Sequence, residues 1–468
     1  MTVRDRPVRL LPLILLCLAL SLWLPLASVA GARTGKETLA PANVIPTTPA
    51  GEQLRWTLAQ VNDGGPGLTA AAVADRFTDA FLSALPPTDL IAVFTGYLAP
   101  NGPMAVARFE GGVTATRANA LLTTPSGQPW RVTLGVEAQP PYRIDNLFFE
   151  PAPLPARLPK PPASWAALDK LLKKVAPDVG FVAAEVTDGT CRPLRSLNAD
   201  AELAVGSTFK LYVLGELARQ IEAGEASWDE GLTLRAGLKS LPSGSMLYEP
   251  NGADFPLVTY AERMISESDN TATDHLIDRL GRENVERMMA AMGHADPSLN
   301  IPLLMTREWF AIKLRLTKDE IDDYLDSSDD VQRQILAEDV DPQADTLWDG
   351  EEWTAPYLID SIEWFASAAD LCRAVAALHE QAGQPGLAPI LDCLSLRPGI
   401  PFDAATWTYV GYKGGYETGV KSDVWLLQRN DGRWFAMTAI INDPKKEIDG
   451  QKLASLMVPA AGLLAKAE

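Results

Sequence analysis

Gly206-Ser207-Thr208-Phe209-Lys210-Leu211-Tyr212-Val213-Leu214 is the stretch that decides how this 468-residue chain is read. Phe209, Leu211, Val213 and Leu214 supply an apolar face, so a helix is predicted to open here. Ser207 and Lys210 stand three apart and share one face of it. A serine hydroxyl is a weak nucleophile until a neighbour takes its proton. A lysine whose charge is disfavoured by burial or a second cation can take it. A helix start also brings backbone N–H groups and the positive end of the helix dipole to a developing oxyanion. Alone, this spacing arises by chance in so long a chain, and Ser207 would serve equally well as an N-cap.

Two further motifs narrow the choice. Ser268-Asp269-Asn270 precedes an expected helix from Thr271 to Leu280. Ser268 offers a second hydroxyl to relay a proton to the leaving group, and the Asn270 amide can hold a substrate carbonyl. Asp269 is expected to bond nearby backbone. A Ser-Asp pair also simply begins helices. Lys413-Gly414-Gly415 follows an expected strand, Trp407 to Tyr412. A cation there anchors an anionic substrate and helps keep Lys210 neutral, and the glycines let a substrate lie against the strand. The Tyr416 N–H can join that of Ser207 in an oxyanion hole. A lone Lys-Gly-Gly is a common turn. The three motifs together, in this order, are specific. The catalytic candidates are therefore Ser207, Lys210, Ser268 and Lys413. The substrate-binding candidates are Asn270, Gly414, Gly415 and Tyr416, with no metal and no organic cofactor.

Around these motifs the chain divides. Prolines crowd residues 151–162, which are read as a semi-rigid linker. Residues 40–150 form a small α+β domain, with Leu54, Leu58, Val61, Val73, Phe77, Phe81 and Leu82 at helical spacing. Trp130–Leu134 and Leu147–Phe149 there read as strands. Residues 163–468 form the larger domain. Leu168, Leu171, Leu172 and Val175 mark its first helix, Val179–Val186 a buried strand, and Asp188-Gly189 the turn after it. Strands return at Trp407–Tyr412, Val420–Leu427 and Trp434–Ile441, with Asn430-Asp431-Gly432 as a hairpin turn. A closing helix near 448–466 holds Pro459, expected to kink or shorten it. An antiparallel sheet flanked by the first and last helices, beside an all-helical lobe, follows from this order. An acidic run from Lys318 to Glu352 reads as a solvated lid or spacer; its spacing does not fit a calcium loop.

Composition excludes several classes. A formal net charge of -19 leaves no basic footprint for nucleic acid. Arg4, Arg6 and Arg9, the apolar run Leu10–Leu26 and Ser28-Val29-Ala30 read as a signal peptide over residues 1–32. The alternative is an uncleaved anchor, the chain's one expected tie to a membrane. The protein is thus expected to be secreted or held in the cell envelope. Cys191, Cys372 and Cys393 follow the signal, and one bridge, Cys372 to Cys393, is about as well supported as three buried thiols. Only His275, His294 and His379 are present, widely spaced, which argues against a histidine triad or a histidine-rich metal centre.

Residues from about 165 onward resemble the class A β-lactamase and DD-peptidase superfamily of serine hydrolases. The likeness extends to Leu241-Pro242-Ser243-Gly244-Ser245-Met246-Leu247, Pro250-Asn251-Gly252 and Met264 through Thr273. The two-domain layout is similar to the clavulanic-acid-cluster serine hydrolases and a cephalosporin esterase. In that group a small domain of the ketosteroid-isomerase/NTF2 type comes first. The resemblance implies an acyl-enzyme on Ser207 and an ester, β-lactam or peptidoglycan-like substrate. An esterase or weak β-lactamase is the first expectation. A penicillin-binding sensor that keeps its acyl group, or a DD-peptidase-like protein, is the alternative. The chain departs from the family at two places. No glutamate stands in the usual deacylation segment, with Glu351 or Glu352 as remote candidates. Gly414 replaces the usual Thr or Ser, and Glu417 nearby is expected to repel a substrate carboxylate.

Overall fold

The computed structural model describes residues 44–467 apart from 66, 138, 153–157, 159, 242 and 345–354. The expected signal segment, the centre of the proline-rich stretch, and Glu351 and Glu352 lie outside the described residues. The chain parts into two compact units between Pro151 and Ala152, with Glu110–Gly112 grouped with the second. No helix among the described residues is long and apolar enough to cross a membrane.

In the first unit the α-helices α1 (Pro49–Asn62), α2 (Ala70–Arg76), α3 (Asp79–Ala84) and α4 (Pro87–Ala92), the last running on into a π-helical turn at Val93–Leu98, precede a sheet. Thr48, Thr69 and Thr78 cap the first three, each hydroxyl accepting an N–H three residues on. The meander that follows is β1 (Ala105–Val113), β2 (Arg117–Thr123), β3 (Trp130–Val136) and β4 (Ile144–Pro151), antiparallel in chain order. Alternate residues Ala118, Ala120, Leu122, Val132 and Leu134 form one face. They bury Leu54, Leu58, Val61, Phe77 and Phe81 in a single core.

The second unit begins with α5 (Trp165–Leu172), β5 (Asp178–Thr187) and β6 (Thr190–Leu197). Asp188 and Gly189 between the strands both take positive φ, 49° and 65°, as a tight two-residue hairpin requires. Eight helices follow: α6 (Lys210–Glu222), α7 (Leu257–Ser266), α8 (Asn270–Leu280), α9 (Arg282–Ala291), α10 (Thr306–Arg315), α11 (Lys318–Leu325), α12 (Asp329–Ile335) and α13 (Asp341–Ala344). Then come α14 (Ala368–Ala382), α15 (Pro389–Ser395), β7 (Trp407–Glu417), β8 (Val420–Arg429), β9 (Trp434–Asn442) and α16 (Gly450–Leu464). The sheet order is β7-β8-β9-β5-β6, every pair antiparallel. Leu168 and Leu172 of α5 and Leu453 and Met457 of α16 cover one face, over Phe181, Trp425, Phe435 and Met437. Leu371, Val375 and Leu378 of α14 pack with the other face, in the same core as the helical lobe.

Four expectations change. Strand β7 runs on to Glu417, so Lys413, Gly414 and Gly415 lie inside it rather than beyond its end. The acidic run, as far as it is described, is amphipathic and not a solvated spacer. Its Ile321, Tyr324, Leu336, Val340 and Ala344 join the main core while the acids face water. Of the two effects expected of Pro459, the shortening of α16 does not occur, because Ala460, Ala461 and Leu464 beyond it stay buried against the sheet. The bridge joins Cys191 of β6 to Cys372 of α14, with Cα atoms 6.0 Å apart, and leaves Cys393 a buried thiol outside it. The packing of α14 on the sheet brings together two cysteines 181 residues apart, a partnership their spacing does not show.

Closing so long a loop should stabilise the fold by about 3–5 kcal/mol. Cys191→Ala or Cys372→Ala is expected to lower the urea midpoint to match, and non-reducing peptide mapping to recover the Cys191–Cys372 link. Equal midpoints with and without reductant would refute the pairing.

Candidate active site

The turn that carries Ser207 is built by its neighbours. Gly206–Phe209 is a 3-10 turn that feeds directly into α6, and Ser207 on it is half-buried. Gly206 takes φ +49°, a left-handed conformation that L side chains resist. The Val205 N–H donates to Trp364 O at 2.9 Å, and the Phe209 ring stacks on Trp364 with centroids 4.2 Å apart. Thr208 Oγ1 and Ser422 Oγ, 3.0 Å apart, both contact Val205 O, tying the turn to β8.

Strand β7 presses against this turn. A Cβ added to Gly415 would collide with Val205 O and Ser422 Oγ and come within 2.9 Å of Ser207 N. One added to Gly206 would lie 3.2 Å from Tyr416 N. Only glycines allow this approach, which sets the Ser207 and Tyr416 amide nitrogens close together. Two backbone N–H groups so arranged suit a developing oxyanion. The Tyr416 side chain is exposed, and its hydroxyl donates to Glu447 Oε1 at 3.3 Å. Tyr416 therefore has only its amide to offer on the Ser207 side.

Lys210, Ser268, Asn270 and Lys413 converge. Lys210 is fully buried, and its Nζ donates to Ser268 O and Asn270 Oδ1, each at 2.6 Å, with Ser268 Oγ at 3.4 Å. Lys413, also buried, donates to the same Ser268 Oγ at 2.9 Å and to Gly414 O at 2.6 Å. Burial pushes the Lys210 ammonium down to about 7, although Asp269 and Asp274 pull it back up. Burial lowers Lys413 well below the usual lysine range, with the charges of Lys210 and Lys421 adding to the effect. Near neutral pH the pair thus prefers to carry less than two charges. A neutral Lys210 satisfies both short acceptors with its two N–H bonds and keeps a lone pair for a proton.

Ser268 reaches this position with φ +57°, an unusual backbone for a serine. Ser243 Oγ donates to Ser268 O at 2.7 Å, and Ser243 O accepts the Asn270 N–H at 3.0 Å. Asp269 is structural, as expected. It caps α8 through Ala272 N and holds Met246 N, each at 2.7 Å, while burial raises its carboxyl to about 6. Asn270 is less free than expected. Its Nδ2 donates to Leu241 O at 3.0 Å and its Oδ1 is taken by Lys210, leaving one N–H for a substrate.

The departure from the family pattern at Gly414 has a local cause. At Gly414 a Cβ would collide with the Tyr412 hydroxyl, which donates to Asp423 Oδ1 at 2.5 Å. The expectation that Glu417 repels substrate is overturned. Glu417 is buried, and both its oxygens accept from Lys313 Nζ at 3.0 Å. Sequence reasoning missed Lys313 and Glu363, which complete this cluster. Residues 313, 363 and 417 share no motif, and only the fold assembles them.

The histidines are engaged elsewhere. His275 Nε2 accepts the Arg235 N–H at 2.9 Å, its Nδ1 lies 2.7 Å from Thr271 O, and burial drops its pKa to about 4. His294 approaches Glu202 and Asp370 as metal ligands would. Its Nδ1, however, accepts the Asp296 N–H at 3.2 Å, and Asp370 spends both oxygens on Ala295, Ser367 and Arg373. His294 and Asp370 are thus already committed to protein partners, whereas the buried Glu202 Oε2 has none, so a metal here would have to displace existing bonds at two of its three ligands.

The family model described as "Beta-lactamase enzyme family" matches residues 163–460. The chain belongs to that family. A second model, "ORF 12 gene product N-terminal", matches residues 45–140. No curated protein matches the chain. Among solved structures, a β-lactamase from Sphaerobacter thermophilus is 21% identical with a TM-score of 0.45, covering 64% of this chain and 97% of its own. A β-lactamase from Chitinophaga pinensis is 14% identical with a TM-score of 0.45, covering 64% and 98%. PBP-A is 16% identical with a TM-score of 0.43, covering 65% and 98%. Family membership brings with it, at family level, an acyl-enzyme serine hydrolase acting on small molecules.

The Ser268 backbone makes a separable prediction. Ser268→Gly should be about 1 kcal/mol more stable to urea than Ser268→Ala, because glycine relieves the left-handed strain. Both should lose about 100-fold or more in activity through loss of the hydroxyl. Equal stabilities would remove strain from the account, and retained activity would remove the relay.

Proposed function

We propose that this protein is an exported serine hydrolase. It forms an acyl-enzyme on Ser207 with esters and, more slowly, with β-lactam-type amides. The observation that carries the reading is the meeting of two buried lysines at Ser268, one of them, Lys210, opening the helix that follows the Ser207 turn. In this scheme a neutral Lys210 takes the Ser207 proton as the hydroxyl attacks a carbonyl. The Ser207 and Tyr416 amides hold the oxyanion, and Ser268 passes the proton to the leaving group under the field of Lys413. The Gly415 backbone receives the substrate along β7. Gly414 offers no hydroxyl to anchor a substrate carboxylate, and the Tyr412 hydroxyl and the Lys421-paired Asp423 fill the space beside it, which favours esters that need no such anchor. Water then releases the acyl group.

Export is proposed from the amino-terminal segment, and the Cys191–Cys372 bridge supports it because disulfides persist in oxidising compartments. The small unit is proposed to be ketosteroid-isomerase-like, from its order of helices followed by a meander. The match of residues 45–140 to a separate amino-terminal family model supports a two-domain layout, and the cephalosporin-esterase type is proposed on that layout.

Incubation with a cephalosporin bearing a 3′ acetyl ester, followed by mass spectrometry of protein and drug, tests the reading. Acetate loss with an intact ring is the expected result, and ring opening would make the chain a β-lactamase in practice. A lasting adduct on Ser207 would convert it to a penicillin-binding sensor. Ser207→Ala must lose both adduct and turnover, and a variant that still turned over would sink the mechanism. Protonated below about pH 7, Lys210 cannot act as base, so the acylation rate should rise as pH passes upward through about 7 and then level. Lys210→Arg, charged throughout, should fall at least about 100-fold and lose that rise. A pH-independent wild-type rate would exclude Lys210 as the base.

A further inference from the structure

Behind the oxyanion pair lies a buried group of three charges that the scheme above does not use. Glu363 and Lys313 have fully buried side chains and that of Glu417 is 5% exposed. Lys313 Nζ reaches both Glu417 oxygens at 3.0 Å and Glu363 Oε1 at 3.9 Å, and sits 4.2 Å above the Trp309 ring. Glu363 Oε2 accepts two backbone N–H bonds, from Gly206 at 3.2 Å and Trp364 at 3.1 Å. Gly206 immediately precedes Ser207, and Glu417 immediately follows Tyr416. The cluster thus grips the chain next to each of the two oxyanion donors.

We propose that Glu363, braced by Lys313 and Glu417, is a positioning residue that sets the spacing of the Ser207 and Tyr416 N–H groups. The proposal rests on the acyl-enzyme reading given above. Two carboxyls facing one ammonium away from water hold one proton between them. Burial and the Glu363 charge push Glu417 up to about 9, and burial raises Glu363 as well. Buried ionic groups of this kind seldom add stability over apolar packing, so a geometric role accounts better for their presence. Glu363 Oε2 is committed to backbone donors. It therefore acts through Gly206 and the Ser207 turn, not on the substrate.

The test is the rate of Ser207 acylation by a fluorescent penicillin in the full-length protein, measured against concentration so that maximal rate and half-saturation separate. Glu363→Ala should lower the maximal rate about 100-fold, the loss seen when an oxyanion donor is displaced, with half-saturation within about threefold. Glu363→Gln keeps an acceptor for the Gly206 N–H and should recover to within about tenfold of wild type. If Glu363→Ala does not fold, Glu363→Asp, too short to reach Gly206, should show the same loss. A wild-type maximal rate in the Ala or Asp variant overturns the proposal. A Gln variant as slow as Ala also overturns it, because that pattern belongs to a catalytic base. A wild-type chain that takes no label overturns the acyl-enzyme reading and this proposal together, whereas equal labelling of wild type and Glu363→Ala overturns this proposal alone.

Discussion

Two lysines shut away from water, with one serine hydroxyl between them, make the constraint on which the rest of the site depends. Neither ammonium is comfortable in such a place, and each worsens the position of the other. The surroundings answer with dipoles more than with counter-charges. Ser268 O, Asn270 Oδ1 and Gly414 O each stand 2.6 Å from an ammonium nitrogen. Delivering Ser268 O and Oγ to the same place requires the left-handed backbone at Ser268. That conformation is in turn held by Ser243 and by the cap that Asp269 places on α8. A site that lowers the pKa of a lysine therefore also stores backbone strain.

The pleat of β7 divides the work of that strand. Lys413, Gly415 and Glu417 alternate along one face and meet, in turn, Ser268, the Ser207 turn and Lys313. Tyr412, Gly414 and Tyr416 lie on the other, where the Tyr412 hydroxyl and Asp423 fill the space beside Gly414. The glycine that breaks the family pattern is thus explained by a tyrosine two residues before it. The acid that looked like a repulsive surface charge is explained by a lysine on α10.

Much of this was legible because it is local. The Ser207–Lys210 spacing, the entry to α8, the Asp188-Gly189 turn and the apolar runs of β5, β8 and β9 depend on residues close in sequence, where composition and turn chemistry operate. What was not legible depends on contacts across the fold. Cys372 has Cys393 nearer in sequence, yet the packing of α14 on the sheet decides for Cys191. The acids of the 318–344 run disguised an apolar stripe of Ile321, Tyr324, Leu336 and Val340. Strand β7 was cut short because two glycines read as a turn, whereas their lack of side chains is what lets the strand continue beneath the Ser207 turn.

Glu363 shows the same limit at its sharpest. In the sequence it is one acid in an apolar stretch. In the fold, the Trp364 carbonyl holds the Val205 N–H, and the Trp364 ring stacks on Phe209 and packs near Trp309. This aromatic column fixes the backbone of residues 362–365 against the Ser207 turn, so the Glu363 carboxylate can meet the Gly206 N–H with little freedom left to either. A buried charge is tolerable where its partners are held that firmly. The firmness reaches Ser207 through the chain itself, because the amide next to the one Glu363 binds is the Ser207 amide proposed to hold the oxyanion.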